Sequence, residues 1–176
     1  MMLGEIRSHH PEGTPDGVHM VEIAERPLRA FRLPRGALGD APLPELAAGG
    51  VYFLLGPRGR PGGRPRVYIG SGRDLGQRLA LQEDQPPFPW EWAVAVPLAV
   101  PRVPRFHKEL TKLVQLHCHR SALRARHHEV VSPEPTSPSL VPAFVERDVA
   151  ASRTAIQTLL FALGHPVLGT RLQVVS

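Results

Sequence analysis

Gly50-Val51-Tyr52-Phe53-Leu54-Leu55 and Arg66-Val67-Tyr68-Ile69-Gly70-Ser71-Gly72-Arg73-Asp74-Leu75 carry the fold of this chain. Each opens as an apolar run of strand length, rich in β-branched and aromatic residues. The residues between them, 56–65, are glycine, proline and arginine, the composition of a loop. The two runs are therefore expected to pair antiparallel. The second empties through a glycine turn into a helix expected over 73–83. Arg78 stands four residues after Asp74, one helical turn along on the same side. Tyr52 and Tyr68 are the only tyrosines in the chain. Two phenols, a glycine turn and an arginine can converge on one phosphate.

Outward from this pair, 92–96 reads as a third strand, rich in valine and alanine and closed by Pro97 and Pro101. Pro104 suits the first turn of a helix, where its missing N–H would be unpaired anyway. That helix is expected over 106–126, with Phe106, Leu110, Leu113, Val114 and His117 on one stripe. The segment 132–138 is a proline-broken linker. A second amphipathic helix is expected over 145–163, stopped at Gly164, and strand-like residues follow at 167–169 and 172–175. On the other side, 18–23 alternates like a strand with one buried face, and 28–33 reads as another. A short helix limited by Pro42 and Pro44 is expected over 36–46. Strands followed by helices, without steady βαβ alternation, argue an α+β fold. The division expected is a β-rich extension at 1–48, a core at 49–131, and a linker, helix and strand at 132–176 packing on that core.

A chain of 176 residues buries roughly 70% of its unfolded surface, enough for a core without disulfides or metal. Its 20 prolines are about twice the usual share of roughly 5%, so irregular segments should be long. The single Cys118 leaves no internal disulfide and fits a reducing cytoplasm. No signal peptide and no membrane span are expected. Net charge is +5 and the pI about 10.3, which favours an anionic partner, nucleic acid above all. Arginine outnumbers lysine 19 to 2, the habit of a GC-rich genome, but codon bias does not account for the excess of positive charge.

Phosphodiester hydrolysis needs a deprotonated water, neutralisation of the crowded phosphorane and help for the leaving oxygen. One divalent cation on one carboxylate can supply two of these. The best carboxylate is Glu109, beside Leu110 and at the border of the apolar stripe. The histidine pairs at 117/119 and 127/128 offer less. Residues i and i+2 of a helix point apart, and zinc wants four ligands while the chain holds one cysteine. Taken singly, Tyr52 and Tyr68 read as half-buried sheet residues, Arg78 as a solvated helix residue and Glu109 as a surface charge.

In this order, Gly50-Val51-Tyr52, Tyr68-Ile69-Gly70, Arg78 and Glu109 resemble the GIY-YIG nuclease superfamily. The flanks 11–18, 138–140 and 166–169 are similar to a little-studied bacterial branch of it, so the likeness covers most of the chain. The resemblance implies a small three-stranded antiparallel sheet flanked by helices. It also implies roles. The tyrosine of the first motif, Tyr52, assists deprotonation of water, Tyr68 lines the site and Arg78 steadies the phosphate. Glu109 binds a single Mg²⁺ or Mn²⁺. Gly70, Ser71, Arg66, Arg73 and Gln82 are the accompanying candidates for nucleic-acid contact. The chain departs from the family at Gln82, where many members carry histidine or tyrosine, and in having no asparagine. The activity implied is a metal-dependent endonuclease, on DNA before RNA and slow. The alternatives are a nucleic-acid-binding module of the same fold with weak or no catalysis, and an interaction protein whose extensions cover the cleft.

Overall fold

The computed structural model describes residues 5–10, 17–24, 26–39, 43–98, 107–138 and 141–170. Its centre is one mixed seven-stranded sheet in the order β1-β2-β3-β6-β4-β5-β7. The strands are β1 (Ile6–His9), β2 (His19–Ile23), β3 (Arg29–Pro34), β4 (Gly50–Arg58), β5 (Pro65–Gly72), β6 (Trp92–Pro97) and β7 (Glu129–Val130). Three helices complete the fold: α1 (Leu75–Asp84), α2 (His107–Ala125) and α3 (Ala143–Ala162). The class is α+β.

The expected three-stranded sheet is corrected to seven strands. The three foreseen core strands form its middle, with β4 central and antiparallel to both β5 and β6. The free edge of β6 is taken by β3, through Phe31↔Ala95 and Leu33↔Ala93. An edge left open there would expose unpaired N–H and C=O groups beside an apolar strand. β2 and β1 extend that side. On the other side β7 lies parallel to β5, pairing Arg66↔Glu129 and Val67↔Val130. Two residues give no periodicity to read, and β7 was not foreseen.

Strand alternation divides the core into two layers. Val51, Phe53, Leu55, Val67, Ile69, Val94 and Val96 point to the face covered by α2 and α3. Tyr52, Leu54, Phe31, Leu33 and Ala95 point to the opposite face, where Leu75 and Leu79 of α1 meet Phe88 and Trp90. The run 51–55 is apolar without alternation because both its faces are buried. α2 lies on β4, β5 and β7, and α3 packs beside it over β2 and β3. Both layers draw residues from 1–48 as well as from the central segment, and the α2/α3 layer also takes Val145, Val149, Ile156 and Leu160.

Each helix has a physical start or stop. Asp74 caps α1, its Oδ1 accepting from the Gln77 N–H at 2.8 Å. Gly164 ends α3 at φ +82°, and the His165 N–H closes back on the Leu160 carbonyl at 2.9 Å. In place of the helix expected over 36–46 there are two 3₁₀ turns, Ala37–Gly39 and Pro44–Ala47. Val167 and Leu168 lie buried in a turn rather than a strand. The expectations for Pro104, Phe106, the flank at 11–16 and the strand at 172–175 fall outside the described residues.

Candidate functional site

The β4–β5 register sets Tyr52 opposite Gly70 and Leu54 opposite Tyr68. Both phenols therefore face the α1 layer, with ring centroids 6.3 Å apart and planes 20° from parallel. The Tyr52 ring lies across Gly70. A Cβ on that glycine would stand 2.2 Å from Tyr52 Cζ and 2.3 Å from its hydroxyl. Gly70 is thus a seat for the first tyrosine. Gly72 lets α1 approach, since a Cβ there would meet Cβ and Cγ of Arg78 at 3.3 Å.

α1 delivers two polar groups to this seat from one face. Gln82 donates from Nε2 to the Tyr52 hydroxyl at 3.1 Å, and its own carbonyl accepts from Trp90 Nε1 at 3.2 Å. Arg78, exposed, directs its guanidinium at the same phenol oxygen. Burial pushes the Tyr52 phenol above the ordinary tyrosine range and Tyr68 adds to this. Arg78 and Gln82 pull the other way without cancelling it. Tyr52 is fully buried, while Tyr68 is half-buried and Arg73 and Arg78 are exposed. The accessible part of the cluster is therefore Tyr68 with the two arginines.

Arg66 shares the tyrosine face by strand alternation. Its guanidinium lies 5.1 Å from the Phe88 ring centroid, and its Nε donates to the Pro57 carbonyl at 3.1 Å. Ser71, a candidate for nucleic-acid contact, turns to the other face. Its Oγ donates to Gln115 Oε1 at 2.6 Å, and Gln115 donates in turn to the Ile69 carbonyl at 3.2 Å. Gln115 and Trp90 are the partners the sequence did not reveal.

Glu109 is not brought to the phenols. It lies on α2, whose buried side chains Leu110, Leu113 and Val114 pack against Val51 and Phe53 on the face opposite Tyr52. Its Oε2 is buried and has no hydrogen-bond partner. His107, at the start of the same helix, faces the Leu98 carbonyl at 3.4 Å and packs against Gly49.

The Mg²⁺ or Mn²⁺ implied by the family likeness needs carboxylate oxygen. The two carboxylates flanking Arg78 on α1 are held by backbone N–H groups, Asp74 by Gln77 and Glu83 by Gly36 at 2.7 Å. Among the described residues no three His, Cys, Asp or Glu side chains gather around one point. With Glu109 across the sheet, the donors beside Tyr52 and Arg78 do not fit a divalent cation.

Of the remaining groups, His119 Nε2 hydrogen-bonds the Ser132 carbonyl at 3.0 Å. Cys118 is buried, its thiol pushed up to about 12 by desolvation, so it behaves as a small apolar side chain. Among the described residues no helix is long and apolar enough to cross a membrane. Comparison with family models, with curated proteins and with solved structures finds no match.

Proposed function

We propose that this chain is a nucleic-acid-binding module related in motif to the GIY-YIG nucleases, gripping the phosphate backbone and hydrolysing it weakly or not at all. The observation that carries the reading is the convergence of Arg78 and Gln82 on Tyr52, next to the accessible Tyr68, while Glu109 sits on the opposite face. An exposed guanidinium beside a phenol is a phosphate site, because the fork donates to two oxygens and the phenol adds a third donor. The net charge of +5 supports an anionic partner.

The base role is poorly served. Tyr52 is sealed from solvent, its oxygen accepts from Gln82, and its proton is held more tightly than in free tyrosine. Gln82 is therefore better described as a brace for Tyr52 than as a lost proton carrier. Tyr52 in turn seats against Gly70 and steadies the wall that presents Tyr68 and Arg78.

One observation favours the nuclease reading instead. The Glu109 Oε2 is a buried carboxylate oxygen with no partner, and a bound cation would satisfy it. Two measurements on the purified chain separate the possibilities. Anisotropy of labelled duplex DNA against salt should give a log–log slope of about −0.9 for each phosphate contacted, and Arg78→Ala should lower affinity and slope together. Supercoiled plasmid incubated with Mn²⁺ should stay uncut. Cleavage that vanishes in EDTA and in Glu109→Ala would restore the nuclease. Affinity that is absent or flat in salt would leave the interaction protein.

A further inference from the structure

At the far end of β4, on the face of α2 and α3, lies a cavity of about 410 Å³. That volume falls within the roughly 300–1,000 Å³ typical of sites for small organic ligands. Its apolar walls are Leu55, Pro57, Pro65, Trp92 and Pro166. The Trp92 indole is backed by the Arg32 guanidinium 4.5 Å from its centroid, which holds the ring as a fixed wall. The polar lining is His127, His128, His165 and Glu91.

Two atoms in this lining are unaccounted for. His128 Nδ1 and His165 Nε2 are buried and have no hydrogen-bond partner. Buried polar atoms without partners are rare, and each invites an occupant. Both rings are uncharged at neutral pH. Burial, then Arg32 and His128, lowers His165 to about 4, and burial, then His127, lowers His128. Each orphaned nitrogen thus offers either one N–H or one lone pair.

The lining selects the class of occupant by exclusion. No lysine or arginine lines it and Glu91 does, so an anion finds no counter-charge. No three ligating side chains gather there, so a metal ion finds no closed shell. A hydrocarbon would leave both ring nitrogens unpaired. An uncharged planar ring with donors and acceptors on its edge answers every feature: it stacks on Trp92 and the prolines and pairs with the imidazoles.

We propose that this cavity binds a nucleobase, free as a nucleoside or splayed from a strand, with its polar edge read by His128 and His165. The site is separate from the tyrosine–arginine cluster, which lies on the opposite face of the sheet. In the nucleic-acid reading above it would add base recognition to phosphate recognition, yet it stands on its own observations.

The test titrates the full chain at pH 7.5 with adenosine, guanosine, cytidine and uridine, following the ring C–H resonances of the histidines by NMR. At least one nucleoside should shift the His128 and His165 signals saturably. His165→Leu and His128→Leu, each checked for a native melt, should weaken that nucleoside at least tenfold. The wild-type resonances alone decide the question if the variants fail to fold. Zn²⁺ binding tightly at the same histidines, or no nucleoside response at millimolar concentration, overturns the proposal. Comparison of a normal and an abasic oligonucleotide then assigns the source: only a strand-borne base makes the normal one bind tighter. Loss of DNA binding with nucleoside binding intact would overturn the phosphate-gripping reading and leave this one standing. The reverse result would overturn this one alone.

Discussion

A methyl group on Gly70 has nowhere to go. The atoms it meets at 2.2–2.7 Å are Cζ, Oη and Cε1 of Tyr52, a ring that is itself fully buried between the sheet and α1. Gly70→Ala must therefore push the ring out of its seat and away from the Gln82 amide. Overpacking of this kind costs about 1–3 kcal/mol, and the displaced hydrogen bond adds roughly 1 kcal/mol. Urea denaturation should report the sum, and Tyr52→Leu, which removes the ring, should suppress most of the effect of Gly70→Ala. A Gly70→Ala protein as stable as wild type would show that the ring has another place to sit. The pair of motifs was legible because strand pairing fixes which residues meet: Tyr52 reaches Gly70 through register alone. Ser71 and Glu109 were misplaced for the complementary reason. Proximity to a motif in sequence does not say which face of the sheet a side chain takes. Ser71 is one residue from Gly70 and for that reason points to α2.

Between elements, the decisive fact is the pairing of β3 with β6. The segment 1–48 was expected as an extension, and its strands at 18–23 and 28–33 were legible from alternation. Their destination was not, because alternation reveals a buried face and says nothing of which edge the strand will join. The structure puts Phe31 opposite Ala95 and into the same cluster as Tyr52, Leu75 and Trp90. Phe31 is 2% exposed. Phe31→Ala should accordingly cost about 3–5 kcal/mol, as for any large aromatic removed from a close-packed core. A loss below about 1 kcal/mol by denaturation would mean that β3 is an appendage and that the core is complete without it. The helices were easier, since 3.6-residue periodicity and caps such as Asp74 and Gly164 are local signals.

Across the whole molecule, positive charge is matched by an unusual set of neutral histidines. His165 titrates at about 4, against 6.5 for the free side chain, because burial disfavours the charged ring and Arg32 and His128 repel it. His19, His117 and His128 are also lowered, each by burial first and neighbouring cations or histidines second. The sign of the linkage follows directly. Between pH 6.5 and 4 the unfolded chain has taken up protons at these sites that the folded chain refuses. Acid therefore favours the unfolded state, and stability falls as pH drops through that window. Carboxylates contribute at lower pH: Glu134, held down by its hydrogen bond from Arg120, loses its stabilising charge only below its ordinary value of 4.5. The two causes thus separate along the pH axis. Melting temperature should hold level from pH 8 to about 7, fall between 6.5 and 4, and fall again under stronger acid. His165→Leu should flatten the first descent and leave the second in place. A profile that stays level down to pH 4.5 would mean that the buried rings accept protons without penalty. Their unpaired nitrogens would then not be sealed in the way the cavity requires.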